Sequence, residues 1–480
     1  MTRHHLTVII GLLAFVNLNA QLQHPNNNKA SVIKSVTERY ESLTELSDKI
    51  WSYEEIAFQE LRSSRDLKEY AKAEGFSIKE NIGDIPTAFV AEYGSGKPII
   101  GVLGEFDALP GLSQKAVSHK AVLHEGGAGH GCGHNLFGVA SLAAAVAIKD
   151  LIAKGELKGT VRFYGCPAEE KFFGKLWMIR SGAFDDLDVA MDWHPSGETK
   201  ADVQSNLSLV DFIVEYSGQA AHASLDPWNG RDASDALELF TTGVNYYREH
   251  IKPTVRIHYD IQNAGEVVNV VPDYSRVWTR VRDIKRAGMV EVWKQVEKIA
   301  EGAAMMANVE YKISLVSGLH ELLVNRTGGA KMQSNLEYLG PITYTDEEQE
   351  FAKGIQKATG KPEVGMVSVI NPLEETIEHP GGGSTDVGDV SYVVPTIRMG
   401  ATTAPQGTPW HSWAVTACGG MSIGHKGMAH AAKAIAMTMV DLYEDPALVE
   451  EVKTEFKERK GDYVYKPIIP DGPPPLDSKY

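Results

Sequence analysis

The sequence is poor in cysteine and has no excess of positive charge. Its 480 residues include three cysteines, Cys132, Cys166 and Cys418, which are too few for a disulfide-stabilised scaffold. Lys and Arg total 47 against 63 Asp and Glu, so the formal net charge is −16. Nonspecific binding to nucleic acid needs a cationic surface, so we expect no nucleic-acid partner. The 43% hydrophobic and 23% charged residues are typical of a globular chain, and the length fits two domains.

Long apolar runs are also scarce, and one lies at the amino terminus. Basic residues precede the apolar run 6–16, which is too short to span a bilayer, and Ala20 is a suitable cleavage residue. This pattern is typical of a secretory signal peptide over residues 1–20, with a buried amphipathic start as the alternative. We therefore expect an exported protein, periplasmic or secreted. No other stretch looks apolar enough for a membrane helix, so the mature chain should have no membrane span.

Helical and strand-like segments alternate through the first half of the chain. Apolar residues recur at three- and four-residue steps over 31–75, which indicates helices. Strand-like runs at 97–109, 160–168 and 188–194 are interrupted by an Ala- and Leu-rich helix former at 136–154. This alternation predicts an α/β fold with a mostly parallel sheet flanked by helices.

The pattern changes in the middle of the chain. Between residues 207 and 320 the order β-α-β-β-α-β is that of a ferredoxin-like α+β domain, inserted into the larger one. We expect residues 30–206 and 321–450 to form the two parts of the main domain. Residues 451–480 form a Pro-rich C-terminal tail, and its last part, KPIIPDGPPPLDSKY at 466–480, is expected to run as an extended surface arm because proline disfavours helix and central strand.

Two short clusters contain groups that could carry chemistry. The string 129–135, GHGCGHN, places Cys132 and His134 two residues apart, where a helix starts. Thiolate and imidazole are metal ligands, although a Gly-rich turn with incidental Cys and His is the alternative. Glu169 and Glu170 end an apolar strand, where sites of parallel sheets form. Adjacent residues of an extended chain point to opposite sides, so one glutamate can bind metal while the other acts as a base.

Three further residues indicate a functional site only when they are considered together with these clusters. His194 ends a short strand in MDWHP, and His411 lies in the loop TPWHSW. Asp107, after a strand in GEFDALPG, could orient a ligating histidine or simply cap a turn. The potential donors then number five, one more than a tetrahedral zinc needs, so two cations that share a thiolate fit better. They are Cys132, His134, Glu170, His194 and His411.

Seven motifs along the chain resemble a known family. In order, they are GEFDALPGLSQ, GHGCGHNLFG, YGCPAEE, GQAAHAS, GEVVNVVPD, GGGSTDVGDVSYVVPT and GTPWHSW. They are similar to the dinuclear metallopeptidases and amidohydrolases that include aminoacylases, glutamate carboxypeptidase and auxin-conjugate hydrolases, above all to the p-aminobenzoyl-glutamate hydrolase branch. The resemblance covers about residues 40 to 445.

The resemblance implies a role for each candidate residue of the metal site. Cys132 would bridge two divalent cations, zinc or manganese with cobalt as a further option, and the other four donors would complete their shells. Glu169 would be the general base and Asp107 a support for a ligating histidine. Two positions depart from the pattern. Glu105 occupies a place where other members have a ligating His, and Asn135 one where many have Asp.

The resemblance also implies a substrate site and a second subunit. The inserted domain would be a lid and the contact of a homodimer, from which His222 would reach into the partner's site and stabilise the oxyanion. Asn269 and Arg282 would hold a substrate carboxylate, with Arg276 and Arg280 as neighbours that could take the same role. Backbone N–H groups of the run Gly381, Gly382 and Gly383 could assist. A requirement for a second, different subunit stays open.

The expected function is hydrolysis of the amide bond of an N-acyl or N-aroyl amino acid such as p-aminobenzoyl-glutamate. A water activated by metal would attack, with a glutamate as the base. Two alternatives on the same fold are a dipeptidase or carboxypeptidase and a non-catalytic protein that binds carboxylates. The substrate would in each case be a small molecule with a free carboxylate.

Overall fold

The structure is a computed structural model that describes residues 26–375 and 382–477. The expected signal peptide at 1–20 and Gly381 of the glycine run lie outside the described residues. The described strands are β1 (Ser77–Glu80), β2 (Phe89–Ser95), β3 (Ile99–Glu105), β4 (Gly159–Cys166), β5 (Val189–Ser196), β6 (Lys200–Asp202), β7 (Ser208–Ser217), β8 (Arg256–Asn263), β9 (Tyr274–Asp283), β10 (Glu310–Leu319) and β11 (Thr396–Thr402).

Helices connect and cover these strands. They are α1 (Asn27–Glu38), α2 (Tyr40–Tyr53), α3 (Leu61–Ala73), α4 (His134–Ala153), α5 (Gly174–Arg180), α6 (Ala233–Tyr247), α7 (Arg286–Ala307), α8 (Arg326–Leu339), α9 (Asp346–Ala358), α10 (Val387–Val390), α11 (Trp413–Gly419), α12 (Ser422–Glu444) and α13 (Pro446–Lys460).

The larger sheet has the strand order β1-β2-β4-β3-β5-β11-β6. Its central strands β4, β3, β5 and β11 are parallel, whereas β1, β2 and β6 run antiparallel at the two edges. Successive side chains of β3 alternate between two apolar cores: Val102 packs with α4 and α12, and Leu103 packs with α5 on the other face. Helices therefore cover both faces, which confirms the predicted α/β fold.

Helix α4 runs through the centre of the main domain. It is apolar nearly all round, which is typical of a buried helix. By length and composition alone, α4 could cross a membrane. The expectation that no stretch after the amino terminus is apolar enough for a membrane helix is therefore wrong. In the fold, 83% of that apolar window is buried inside the described structure, where it packs as a core helix.

The inserted domain is built by β7-α6-β8-β9-α7-β10. Its four strands are antiparallel in the order β10-β7-β9-β8, and α6 and α7 cover one face, which confirms the ferredoxin-like unit. Residues of β9 alternate strictly: Val277 and Val281 are buried in the domain core. Arg280 and Arg282 therefore lie on the opposite face of the sheet, away from the helices.

The C-terminal tail begins later than expected. Helix α13 takes up residues as far as Lys460, so the predicted Pro-rich tail at 451–480 is wrong over its first ten positions. Pro446 is tolerated because it stands in the first turn, where its missing N–H costs nothing. The remaining residues 461–477 have no helix and pack closely against both domains.

Two neighbouring residues of this segment pack on different cores. Ile468 contacts the apolar core of the inserted domain, and its carbonyl accepts a 2.7 Å hydrogen bond from Gly318 N–H of β10. Ile469 packs on the core of the main domain, and Arg180 donates to Gly472 O at 2.6 Å. The described part of the tail therefore ties the two domains together.

Candidate metal centre and active site

The carboxyl ends of the central strands bring the candidate residues together. Glu105 ends β3, Glu169 and Glu170 follow the end of β4, and His194 lies near the end of β5. Because these strands are parallel, their carboxyl ends meet at one edge of the sheet. His134 is the first residue of α4, which starts at the same edge.

Two glycines allow α4 to begin there. Gly133, at the N-cap of α4, has a left-handed φ of +77° that residues with side chains rarely adopt. A Cβ atom on Gly138 would lie 2.8 Å from the carbonyl oxygen of Glu105. The absence of side chains lets the helix turn sharply at His134 and pack directly on the end of β3.

The five predicted donors lie close together. Cys132 Sγ lies 3.4 Å from His194 Nε2, and His411 Nε2 lies 3.4 Å from Glu170 Oε2. Donor atoms within 4.8 Å of one another form two triads that share Cys132, one with His134 and His194 and the other with Glu170 and His411. One thiol thus stands between two possible cation positions.

Hydrogen bonds orient two of the histidines. His134 Nδ1 donates to Asp107 Oδ1 at 2.9 Å, and His194 Nδ1 donates to the Pro195 carbonyl at 2.7 Å. Oxygen atoms of a carboxylate or carbonyl only accept, so each Nδ1 carries a proton and Nε2 is the nitrogen that faces the cluster. Asp107 Oδ2 also accepts the backbone N–H of Glu170 at 3.0 Å. This is the arrangement that fixes ligating histidines in metal sites.

Several buried atoms at the centre lack a partner that a cation would supply. Glu105 Oε2, His134 Nε2 and Glu170 Oε1 have no hydrogen-bond partner among the described residues. Glu105 Oε2 and His134 Nε2 lie only 3.1 Å from each other. Burying such groups unpaired is unfavourable. The donor set of thiol, imidazole and carboxylate suits zinc, manganese or cobalt, so the residues fit the expected metal.

The pKa values show how strongly burial acts on these groups. Burial raises the pKa of the Cys132 thiol, and it raises the pKa of Glu170 to about 7. Burial, then the charges of Glu105 and Glu170, raise the pKa of Glu169 well above its usual value. Burial lowers the pKa of His194 to about 4, so this imidazole is neutral and ready to bind a cation.

Unusual backbone conformations position two of the side chains. His411 has φ +56°, and its N–H donates to Gly131 O at 3.0 Å. Ala168, directly before Glu169, has φ +61° and donates its N–H to the buried Glu60 at 2.9 Å. Left-handed φ at non-glycine residues is strained and concentrates at functional sites. Glu60 was not predicted from sequence, because its spacing to the motifs is unremarkable.

A cavity of about 730 Å³ joins the metal cluster to the inserted domain. Cys132 and the two adjacent glutamates line one side, and Arg280 and Arg282 line another. Gly382 and Gly383 also line it. The cavity is therefore large enough for a small molecule to lie between the donors and the arginines.

The structure distinguishes between the three arginines of β9. Arg280 donates from Nε and Nη2 to Asp211 at 2.7 and 2.6 Å, and Arg276 donates to Gln262 at 2.7 Å. Arg282 Nε is buried without a hydrogen-bond partner among the described residues. Burial, together with the charge of Arg280, lowers the pKa of Arg282. Of the three, Arg282 is thus the one whose guanidinium makes no hydrogen bond to another described residue.

Two predicted residues lie apart from the cavity. His222 and Asn269 are exposed neighbours on the inserted domain, where Ala223 N–H donates to Asn269 O at 3.0 Å. His222 Nδ1 accepts the backbone N–H of Leu225 at 3.2 Å. Neither is among the described residues that line the cavity of this chain. The structure therefore does not bring His222 or Asn269 to the metal cluster within this chain.

A buried ion-pair chain beside the centre was not predicted. Lys175 Nζ lies 2.6 Å from Glu105 Oε1 and 2.6 Å from Asp386 Oδ1, with all three side chains buried. A second pair, Asp192 and Arg398, lies at 2.6 Å near the cavity floor. Asp386 stands inside a motif that the resemblance singled out, but nothing in the spacing indicates a buried lysine.

Comparison with known proteins agrees with this geometry. The model of Peptidase family M20/M25/M40 matches residues 101–387, more than half of the chain. The chain is 37% identical to the B subunit of the p-aminobenzoyl-glutamate hydrolase of Escherichia coli, over 92% of this chain and 98% of that protein. It is 30% identical to the Xaa-Arg dipeptidase of Mus musculus, over 89% and 92% of the two chains.

The fold has solved counterparts as well. A crystal structure of a dinuclear metal binding peptidase of the M20 family from Bacillus subtilis superposes with a TM-score of 0.58 at 18% identity, over 85% of this chain and 99% of that one. The shared fold has a main domain and an inserted domain, as found here. The chain belongs to Peptidase family M20/M25/M40 and is a metal-dependent hydrolase that acts on amide bonds.

Proposed function

We propose that this protein cleaves the amide bond of an N-acyl or N-aroyl amino acid, of which p-aminobenzoyl-glutamate is the leading candidate. The observation that carries the proposal is the buried, unpartnered Arg282 Nε in the same cavity as the donor cluster. A guanidinium with free donors binds a carboxylate in bidentate fashion. The Escherichia coli relative, similar over nearly its whole length, is named for hydrolysis of p-aminobenzoyl-glutamate.

Two divalent cations would be held by the five donors, with the Cys132 thiolate shared between them. Zinc or manganese, with cobalt as a further option, suits a set of one sulfur, three imidazoles and one carboxylate. When bound, such cations polarise the scissile carbonyl and lower the pKa of water. The two triads that share Cys132, and the unpartnered buried atoms His134 Nε2 and Glu170 Oε1, support this assignment.

The protein's own residues would perform the proton transfers. Glu169 lies in the cavity beside Glu170 and is the general base that takes a proton from the attacking water. The same carboxyl then delivers this proton to the leaving amine. Asp107 keeps the Nδ1 proton of His134 in place, so that Nε2 is the nitrogen left to bind a cation.

Arg282 would clamp the substrate's carboxylate, with backbone N–H groups of Gly382 and Gly383 beside it. His222 and Asn269 would enter the site from the inserted domain of a second copy, since both lie exposed and outside this chain's cavity. A homodimer is therefore part of the proposal. The Escherichia coli relative is named as one subunit of its hydrolase, which makes a different second subunit the alternative.

A substrate panel tests this function. The purified chain would be assayed with p-aminobenzoyl-glutamate, hippurate, N-acetyl amino acids and dipeptides ending in Arg, after chelation and after addition of Zn²⁺, Mn²⁺ or Co²⁺. We expect p-aminobenzoyl-glutamate to be cleaved fastest, and a Glu169→Gln variant to bind cations without turnover. Preference for dipeptides ending in Arg would favour the activity for which the mouse relative is named. No amide hydrolysis by a cation-loaded chain would support a non-catalytic carboxylate-binding protein.

We also propose that the protein is exported by the segment 1–20, which has the sequence features of a signal peptide. Amino-terminal sequencing of the protein recovered from fractionated cells tests this. A mature chain that starts near Gln21 supports export, and an intact Met1 in the cytoplasmic fraction contradicts it.

A further inference from the structure

The buried lysine beside the metal cluster has no role in the function proposed so far. Lys175 is the second residue of α5, and its side chain is fully buried. Its Nζ donates to Glu105 Oε1 and to Asp386 Oδ1, at 2.6 Å each, and its backbone N–H donates to Asp386 Oδ2 at 3.0 Å. Asp386 thus binds this residue twice and fixes where the ammonium group points.

Such an arrangement carries a large desolvation penalty. Burying an ammonium group and two carboxylates removes their hydration, and the mutual attraction offsets this only when the geometry is good. Stability alone is therefore a poor reason for the three charges, because apolar residues of similar volume often serve as well. Their place next to the metal cluster suggests a functional reason.

The free oxygen of Glu105 supplies that reason. With Oε1 bonded to Lys175, Oε2 is left 3.1 Å from His134 Nε2, and neither atom has a hydrogen-bond partner among the described residues. Two donors on one zinc ion, each about 2.0–2.1 Å away in tetrahedral geometry, lie about 3.3 Å apart. The donor atoms of Glu105, His134 and Glu169 also lie within 4.8 Å of one another.

We propose that Lys175 is a positioning residue of the metal centre that acts through Glu105. Lys175 holds one oxygen of Glu105, so that the other serves the cation at His134 as a carboxylate additional to the five predicted donors. Asp386 holds Lys175 in turn. In this chain a carboxylate and a lysine would therefore serve the same cation together.

This inference rests on the proposed metal centre, and metal binding tests it directly. Metal-free wild-type protein and a Lys175→Met variant would be titrated with Zn²⁺ against a chromophoric chelator, and the Co²⁺-loaded forms compared by visible absorption. Of the two Zn²⁺ ions, we expect the more weakly bound one to bind about 10–100-fold less tightly to Lys175→Met than to the wild type. This is the usual effect of removing a group that orients a metal ligand. The Co²⁺ spectrum should change as well.

A lysine far from the cavity provides the matched control. Lys149 Nζ lies 2.9 Å from Glu74 and 2.7 Å from Asp150, so Lys149→Met also removes a lysine paired with two carboxylates. We expect this variant to keep wild-type Zn²⁺ affinity. If Lys175→Met also kept wild-type affinity and spectrum, even with a lower melting temperature, the lysine would be merely structural and the proposal overturned.

Glu105→Gln keeps the proposal testable if Lys175→Met does not fold. The amide retains the size of the side chain and an oxygen for Lys175, but replaces the free carboxylate oxygen. We expect a similar loss of Zn²⁺ affinity, and no further loss when a folded Lys175→Met is combined with it. Unchanged affinity in Glu105→Gln overturns the proposal. A wild-type chain that binds no cation refutes the proposed metal centre itself, which is a different outcome.

Discussion

His134 Nδ1 lies 2.9 Å from Asp107 Oδ1, and this contact turns the opposite nitrogen of the imidazole into the donor cluster. The second oxygen of Asp107 accepts the backbone N–H of Glu170 at 3.0 Å. One buried carboxylate therefore positions two of the proposed ligands, which stand far apart in the sequence.

Replacing Asp107 should weaken metal binding without removing a proposed ligand. An Asp107→Asn amide has one oxygen and cannot accept both hydrogen bonds, so His134 or Glu170 loses its support. We expect Zn²⁺ affinity and kcat to fall about 10–100-fold. Isothermal titration of the metal-free protein and initial rates at saturating metal check this. Wild-type affinity would show that the contact does not orient His134.

Removing the charge of Arg282 should affect substrate binding. A hydrogen bond to a charged group contributes about 1.5–3 kcal/mol, so Arg282→Met should raise KM about 10–100-fold with a smaller change in kcat. Arg276→Met is the control, because Arg276 lies on the same strand but is bonded to Gln262 and lies outside the described cavity lining. Equal KM values for both variants would contradict the proposed clamp.

Metal affinity should rise with pH. Burial raises the pKa of Glu170 to about 7 in the metal-free protein, so a cation must displace a proton there below this pH. His194, with its pKa lowered to about 4, needs no such exchange above about pH 5. We expect Zn²⁺ binding to be at least about tenfold weaker at pH 6 than at pH 8. A pH-independent dissociation constant would contradict the assignment of Glu170.

The raised pKa of Glu170 should also make the metal-free fold less stable as pH rises, whereas metal affinity increases. Because the pKa of folded Glu170 lies above its value in the unfolded chain, its contribution to stability is complete below about pH 4.5 and is lost as pH rises through about 7. The increase in melting temperature on adding Zn²⁺ should therefore be larger at about pH 7.5 than at about pH 6. Calorimetry of the metal-free and the Zn²⁺-loaded protein at the two pH values measures this increase in melting temperature.

The C-terminal segment should stabilise the junction of the two domains. Tyr465 OH donates to Asp389 Oδ1 at 2.9 Å, and His320 contacts the same carboxylate at 2.7 Å. Removing a buried hydrogen bond of this kind costs about 1 kcal/mol, so Tyr465→Phe should lower the melting temperature by a few degrees. Val464→Ala is the control, because Val464 is 75% exposed. Equal melting temperatures would contradict this role.

Much of the fold follows from local patterns. The period-two alternation of β9 and the three- and four-residue steps of the helices predict which face of each element is buried. The ferredoxin-like order was therefore recognisable from 207–320 alone. The edge strands of the large sheet and the end of α13 were harder, because they are short or flanked by proline and are held by contacts with distant residues.

The candidate donors could also be named from the sequence, since each stands at the end of a strand, at the start of a helix or in a loop beside them. The structure brings all five together, although their roles as ligands remain proposals. What the sequence left open was which arginine of β9 has no partner within the chain. Arg276 and Arg280 are neutralised by partners on neighbouring strands, and only strand pairing brings those partners into reach.

By itself, the sequence determined the order of the central strands and the main helices, the buried face of each, and the places where chemically active side chains follow a strand. These depend on neighbours a few positions away. The tertiary structure alone decided that Lys175 lies between Glu105 and Asp386, which are 70 and 211 positions from it. Charges pair by distance in space, and the packing of whole elements sets that distance.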